Sequence, residues 1–181
     1  MLHELKSPTE VIFFWSIIFH QDSWNEFEIL NKILQLIPHR ANGALSSPWY
    51  PTFNPLLSYY SKEMGSESSL KRFFVHYPTT LDRDLLTTFK LKTVQWEKET
   101  SRPDQTRTFN IDTGFVALEQ LVLATSKPYT HRIYIAHGIY ADLVFTYQNK
   151  NYQSLPWTYP DYQEQAKINY FLSLRKMIAS R

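Results

Sequence analysis

The chain has 181 residues and no cysteine, and its formal net charge is +2. That length suits one domain able to bury roughly 70% of the surface it exposes when unfolded. The lack of cysteine excludes disulfides, thiolate zinc sites and cysteine nucleophiles, and the near-neutral charge gives no general pull toward nucleic acid or membranes.

Residues 1–10 read as a loosely ordered tail in front of the run Val11-Ile12-Phe13-Phe14-Trp15-Ser16-Ile17-Ile18-Phe19. That run is far shorter than the ~20 residues a spanning helix needs. It also lacks the basic lead-in and small-residue cleavage site of a signal peptide. A buried central strand over 11–20 is the expectation, and a cytoplasmic location fits the absence of cysteine.

Ser23-Trp24-Asn25-Glu26 then reads as a capping box. Phe27, Leu30, Leu34 and Ile37 follow at helical spacing until Pro38 ends the pattern. Residues 41–55, rich in Ser, Pro and aromatics, read as an extended segment with a strand through 45–50. A short helix over 57–64 stops at Gly65. A strand over 71–77, a mostly helical stretch over 81–100 and a polar loop over 101–108 come next.

Asn110-Ile111-Asp112-Thr113-Gly114 reads as a turn that uses the glycine. The apolar run 118–124 fits either a strand or a short helix. Strands over 131–135 and 139–147 precede a turn at Asn149-Lys150, and the last helix opens near Asp161, burying Ile168, Phe171, Leu172 and Ile178. This order predicts a single α+β domain, a mainly antiparallel sheet with helices packed on one face.

The segment 131–145 fixes a register. A three-residue loop, Ala136-His137-Gly138, pairs Ile135 with Ile139, Ile133 with Ala141 and His131 with Leu143 on an apolar face. Tyr134 then meets Tyr140, and Arg132 meets Asp142, on the polar face. A one-residue slip would turn every side chain over, so the unmixed register is expected. The Arg132–Asp142 pair has two readings. As an exposed ion pair it is worth at most ~1 kcal/mol; as the floor of a binding site, the guanidinium offers parallel bonds to a phosphate or carboxylate. Spacing alone favours the first.

With these residues in view the chain resembles the domain of unknown function 4416 family. The segments carrying the resemblance are "YYSKEMG" (59–65), "NIDTG" (110–114), "LVLATSK" (121–127), "HRIY" (131–134), "GIYAD" (138–142) and "LPWTYPDY" (155–162). The chain departs from the family pattern at Thr113, where proline is usual, and at Asp142, where glutamate is usual. The resemblance implies a bacterial, soluble protein and brings no established activity. A GTP-binding label carried by some relatives has no glycine-rich support here, since neither G-x-x-x-x-G-K-[ST] nor G-x-G-x-x-G occurs.

Any anion must therefore be held by side chains. Thr125-Ser126-Lys127 running into Thr130-His131-Arg132 supplies hydroxyls and two fixed cations, with Arg72 adding charge from a neighbouring strand. A solvated polar turn explains the same composition, and the matching motifs tilt the balance toward binding. Glu63, Asp112, Asp142 and Asp161 are the carboxylates within reach, although Asp161 stands where a helix N-cap belongs. His131 is placed on the face opposite Asp142, no H-x-x-x-H pattern occurs, and no metal is expected.

"LPWTYPDY" is stiffened by Pro156 and Pro160 and reads first as a strap that docks the last helix, with Trp157 or Tyr159 as a secondary ligand wall. The expected ligand-binding set is Arg72, Asp112, Lys127, Arg132, Tyr140, Asp142, Trp157 and Tyr159, holding a phosphate-bearing or nucleotide-like small molecule. The alternative is an RNA- or protein-binding module. A deep pocket favours the former and a flat aromatic, basic sheet the latter. No catalytic residue and no cofactor is assigned, and no membrane partner is expected.

Overall fold

The uninterrupted apolar run near the N-terminus forms β1 (Ile12–His20), and every residue from Ile12 to Phe19 is buried. A strand with no polar alternation must be covered on both faces. β1 is therefore central, pairing antiparallel with β2 (Leu70–His76) on one side and β3 (Phe109–Val116) on the other. The computed structural model describes residues 4–37, 44–51 and 57–180. Beyond β3 the sheet continues through β4 (Gln120–Thr125), β6 (Ile139–Gln148) and β5 (Ile133–Ala136). The strand β7 (Asn151–Ser154) pairs with the later part of β6, so β5 and β7 share its outer edge. All seven strands are antiparallel to their neighbours, within one α+β domain.

Helices cover both faces of this sheet, which corrects the one-face expectation. Residues of α1 (Glu26–Leu36) and α3 (Leu85–Glu99) join Phe13, Trp15 and Ile17 in one core. Residues of α4 (Gln165–Ala179) join Ile12 and Phe14 in the other. The apolar run itself carried this information, because one-sided cover would have required alternation.

The helix α1 starts two residues later than Ser23 would place it. Its N-cap is Asn25, whose side chain accepts from the Glu28 amide at 2.9 Å while the Glu28 carboxylate accepts from the Asn25 amide at 3.1 Å. The buried stripe is Ile29, Ile33 and Leu36, with Leu30 and Leu34 packed beside it and Phe27 72% exposed. At about 100° per residue the apolar positions form a wide arc centred on Ile33, and Phe27 lies at its margin. Pro38 and much of 41–55 lie outside the described residues; within 44–51, Trp49 bridges Phe74 of β2. A short helix α2 (Leu57–Met64) ends at Gly65, whose φ of 108° only glycine adopts freely.

The segment 110–114 is not a turn but the middle of β3. Gly114 is there for space. A Cβ on it would meet Val122 O and Leu123 Cδ2 at 2.7 Å and Phe14 Cζ at 2.8 Å. The run 118–124 resolves as strand β4.

The register of the β5–β6 hairpin is as expected at Ile133↔Ala141 and Tyr134↔Tyr140, but its turn differs. His137 and Gly138 both have positive φ and form a two-residue turn closed by Ala136↔Ile139. A bulge at Ile135 absorbs the extra residue and restores the register. Because β5 is an edge strand, its "apolar face" is open, with Ile133 71% exposed. Among the described residues no helix is long and apolar enough to cross a membrane.

Candidate functional site

The β3–β4 ladder stops short of the length of β3. Thr113↔Ala124 is the last rung between β3 and β4, after which the chain leaves β4 at Thr125. Two residues further along β3, the Ile111 backbone is taken over by two side chains of α3 instead. Lys90 Nζ donates to Ile111 O at 2.8 Å, and Glu97 Oε1 accepts from Ile111 N at 2.7 Å. These residues stand two helical turns apart on the stripe that also holds Phe89, Thr93 and Trp96. Burial raises the Glu97 carboxyl above the usual carboxylate range, although Lys90 and the Ile111 amide oppose the shift.

The gap between β3 and the 125–132 loop opens into a cavity of about 550 Å³. This volume lies within the range of small-molecule sites. Of the residues singled out from the sequence, Arg72, Asp112, Lys127, Arg132, Asp142 and Tyr159 line it. Tyr140 and Trp157 do not. Tyr140 packs edge-on to Tyr134, and Trp157 stacks on His131 with ring centroids 4.9 Å apart. The Trp157 indole also donates to Leu143 O at 2.7 Å, so this ring anchors the strap rather than a ligand.

The expected Arg132–Asp142 pair is present, but it is buried. The two side chains are 2% and 5% exposed, and Arg132 Nε lies 2.8 Å from Asp142 Oδ2. The other donors of Arg132 are committed too. Nη2 reaches the Tyr159 hydroxyl at 2.9 Å, and Nη1 reaches Lys127 O at 3.1 Å and Thr125 Oγ1 at 3.4 Å. The Tyr129 ring lies against the guanidinium, 4.3 Å from its centroid. Arg132 is thus the hub around which the loop folds, and it positions Lys127. His131 approaches Asp142 as well, with Nε2 3.6 Å from Oδ1, contrary to the face assigned to it. It precedes the first residue of β5, so strand alternation does not bind it.

The strap also holds a buried charge network in place of the expected N-cap. Asp161 is fully buried, with one carboxylate oxygen on Arg72 Nη1 and the other on Lys167 Nζ, the latter at 2.7 Å. Arg72 spends Nε and Nη2 on Ser16 Oγ at 3.1 and 3.0 Å. Burial would lower the Arg72 guanidinium, yet Asp161 and its neighbours hold it above its ordinary value. The helix α4 begins at Gln165 with Glu164 as N-cap, and Leu174 rather than Leu172 completes its buried stripe.

Sequence reasoning missed one wall of the cavity. Arg107 grips Glu63 with Nε and Nη2 each 2.8 Å from a carboxylate oxygen, and its Nη1 donates to Asn110 Oδ1 at 2.6 Å. That fork holds the Glu63 carboxyl below its ordinary range. Tyr60, from the same motif as Glu63, also lines the cavity. Burial, reinforced by the charge of Asp112, pushes its phenol well up, so it remains a hydroxyl donor. The signal for Lys90 and Glu97 was two charges on the apolar stripe of a helix. Arg107, in a polar loop, gave none.

The charges lining the cavity are mostly matched. Arg72 meets Asp161, Arg132 meets Asp142, and Arg107 meets Glu63 and, at 3.7 Å, Glu97. Among the described residues that line the cavity, Asp112, Lys90 and Lys127 make no ion pair; Lys90 is held by Ile111 O at 2.8 Å, and Asp112 has only a long contact from Asn110 Nδ2 at 3.5 Å. One carboxylate and one ammonium therefore face the cavity uncommitted, with Tyr59, Tyr60, Tyr129, Tyr159 and Tyr162 among its walls. No three His, Cys, Asp or Glu side chains converge as a metal site among the described residues.

No curated protein and no solved structure matches the chain. A family model does, the domain of unknown function DUF4416, over residues 9–177. The sequence and the family pattern thus agree across nearly the whole domain, and the chain belongs to the DUF4416 family.

Proposed function

We propose that this protein binds a small molecule with one anionic group, such as a monophosphate, and a planar body of nucleotide-like size, in the cavity between β3 and the 125–132 loop. The observation that carries this reading is the uncommitted Lys127 ammonium beside a tyrosine-walled cavity of about 550 Å³. The hydroxyls of Thr125 and Ser126 adjoin it, and both line the same cavity. An ammonium is a compact charge that pairs readily with phosphate. Tyrosine rings offer flat, partly apolar faces to a planar group.

Arg132 and Arg72 serve this site indirectly. Their donors already meet carboxylates, hydroxyls and a carbonyl, so they shape the loop and the floor instead of gripping the anion. Among the described residues that line the cavity, Lys127 is the one cation whose side chain makes neither an ion pair nor a hydrogen bond, which suits one anionic group better than a triphosphate. The concave form of the site favours a small molecule over a flat RNA surface. A cytoplasmic setting in a bacterium belongs to this reading.

A thermal-shift panel of inorganic phosphate, nucleoside mono- and triphosphates and sugar phosphates tests it, run on the wild type and on Lys127→Ala. A ligand at a hundredfold excess over its dissociation constant adds ~2.7 kcal/mol of stability. Monophosphates should raise the melting temperature of the wild type and not of Lys127→Ala. Silence across the panel, or hits that survive the substitution, would refute the proposal. Lys127 is the informative position because it is exposed and meets Arg132 through its backbone carbonyl, which alanine keeps, whereas loss of Arg132 would also unmake the loop.

A further inference from the structure

Resting on the reading above, we infer that the ligand is a zwitterion, with a protonated amine that pairs with Asp112 while its anionic group meets Lys127. The charge inventory of the cavity carries this step. Its walls hold the cations Arg72, Lys90, Arg107, Lys127 and Arg132, and the carboxylates Glu97, Asp112, Asp142 and Asp161. Glu63, forked onto Arg107, and the Lys167–Glu164 pair, which shares Asp161, complete a neutral set. A ligand that enters displaces the water solvating Asp112 and Lys127. Each charge left unmatched in the dried cavity is penalised, so the complement that leaves nothing unpaired presents one charge of each sign.

Among the described residues Asp112 pairs with no cation, and the one hydrogen bond its carboxylate accepts is the long one from the neutral Asn110 Nδ2 at 3.5 Å. Arg72 and Arg107 act on the neighbourhood at longer range but are held by other carboxylates. A ligand hydroxyl would satisfy a lone pair of Asp112 and leave its charge uncompensated. An ammonium does both.

Pyridoxamine 5′-phosphate and pyridoxine 5′-phosphate make a suitable probe pair. They share the ring and the phosphate and differ in an aminomethyl against a hydroxymethyl group. Calorimetric titration of the wild type should show the amine probe bound roughly tenfold tighter or more, the gap expected of a charge-assisted contact. Asp112→Asn, similar in shape, should bring the two affinities together by weakening the amine probe alone. Lys127→Ala should weaken both probes alike. Equal affinity for the two probes in the wild type, or a preference that persists in Asp112→Asn, would overturn the inference while leaving the anion site standing. Failure of both probes to bind the wild type would overturn the anion site, and the zwitterion with it.

Discussion

Replacement of Asp161 by asparagine perturbs a fully buried charge. Asp161 and Lys167 are fully buried and the Arg72 side chain is 2% exposed, so water can screen none of the three. The two carboxylate oxygens face two different cations. An amide of the same shape offers one oxygen and one NH2, so in either orientation a donor is turned onto a cation. Lys167 keeps Glu164 at 3.1 Å, while Arg72 loses its carboxylate partner. Breaking a buried pair from one side costs about 3–5 kcal/mol. For a domain of this size each kcal/mol moves the melting point by about 2–4 °C, so Asp161→Asn should melt roughly 6–20 °C lower. Urea denaturation should show a lower midpoint at an unchanged slope. The control is Glu119→Gln, a carboxylate that is 53% exposed and pairs with a half-buried Arg83, and this should cost at most ~1 kcal/mol. If both variants lose the same small amount, the buried network contributes no more than a surface pair and the reasoning fails.

Three further outcomes follow from the packing. Gly114→Ala places a methyl against the Val122 carbonyl, which cannot rotate away, so it should destabilise by about 2–3 kcal/mol in chemical denaturation. Burial depresses the His76 imidazole to about 4. The unfolded chain then binds the extra proton between about pH 6.5 and 4, so stability should fall as pH drops through that window. Allowing for the partial exposure of the ring, the loss is ~1–2 kcal/mol, and His76→Gln should flatten that limb of the pH–stability curve. Ile133→Lys, on the open edge strand, should shift stability by no more than about 0.5 kcal/mol, and a larger loss would mean that β5 is covered in solution.

Much of the fold is legible wherever hydrophobic pattern and turn chemistry agree. The continuous run of β1 announces a central strand, and the 131–145 segment encodes its own pairing through the contrast between its two faces. The errors have specific causes. A glycine inside "NIDTG" reads as a turn signal because its real role, the close approach of Leu123 and Phe14, depends on strands distant in sequence. Asp161 looked like a cap because local spacing shows nothing of Arg72, whose contact with it spans 89 positions. The site was half legible for the same reason. Lys127, Arg132 and Asp142 lie close in sequence, whereas Arg107 and Glu63 meet only through the fold. Sequence could name Arg132 as important, but only the geometry shows that its donors are spent on the loop.

The measurement that bears most directly on the central claim is an amide-resolved NMR titration of the 15N-labelled protein with pyridoxamine 5′-phosphate. Saturable shifts are expected at Asn110, Asp112, Ser126 and Lys127, on the two sides of the opened β3–β4 ladder. Shifts confined to the β5 edge or to Lys32, Gln35 and Lys92 between α1 and α3, or no shifts at all, would contradict the proposed binding.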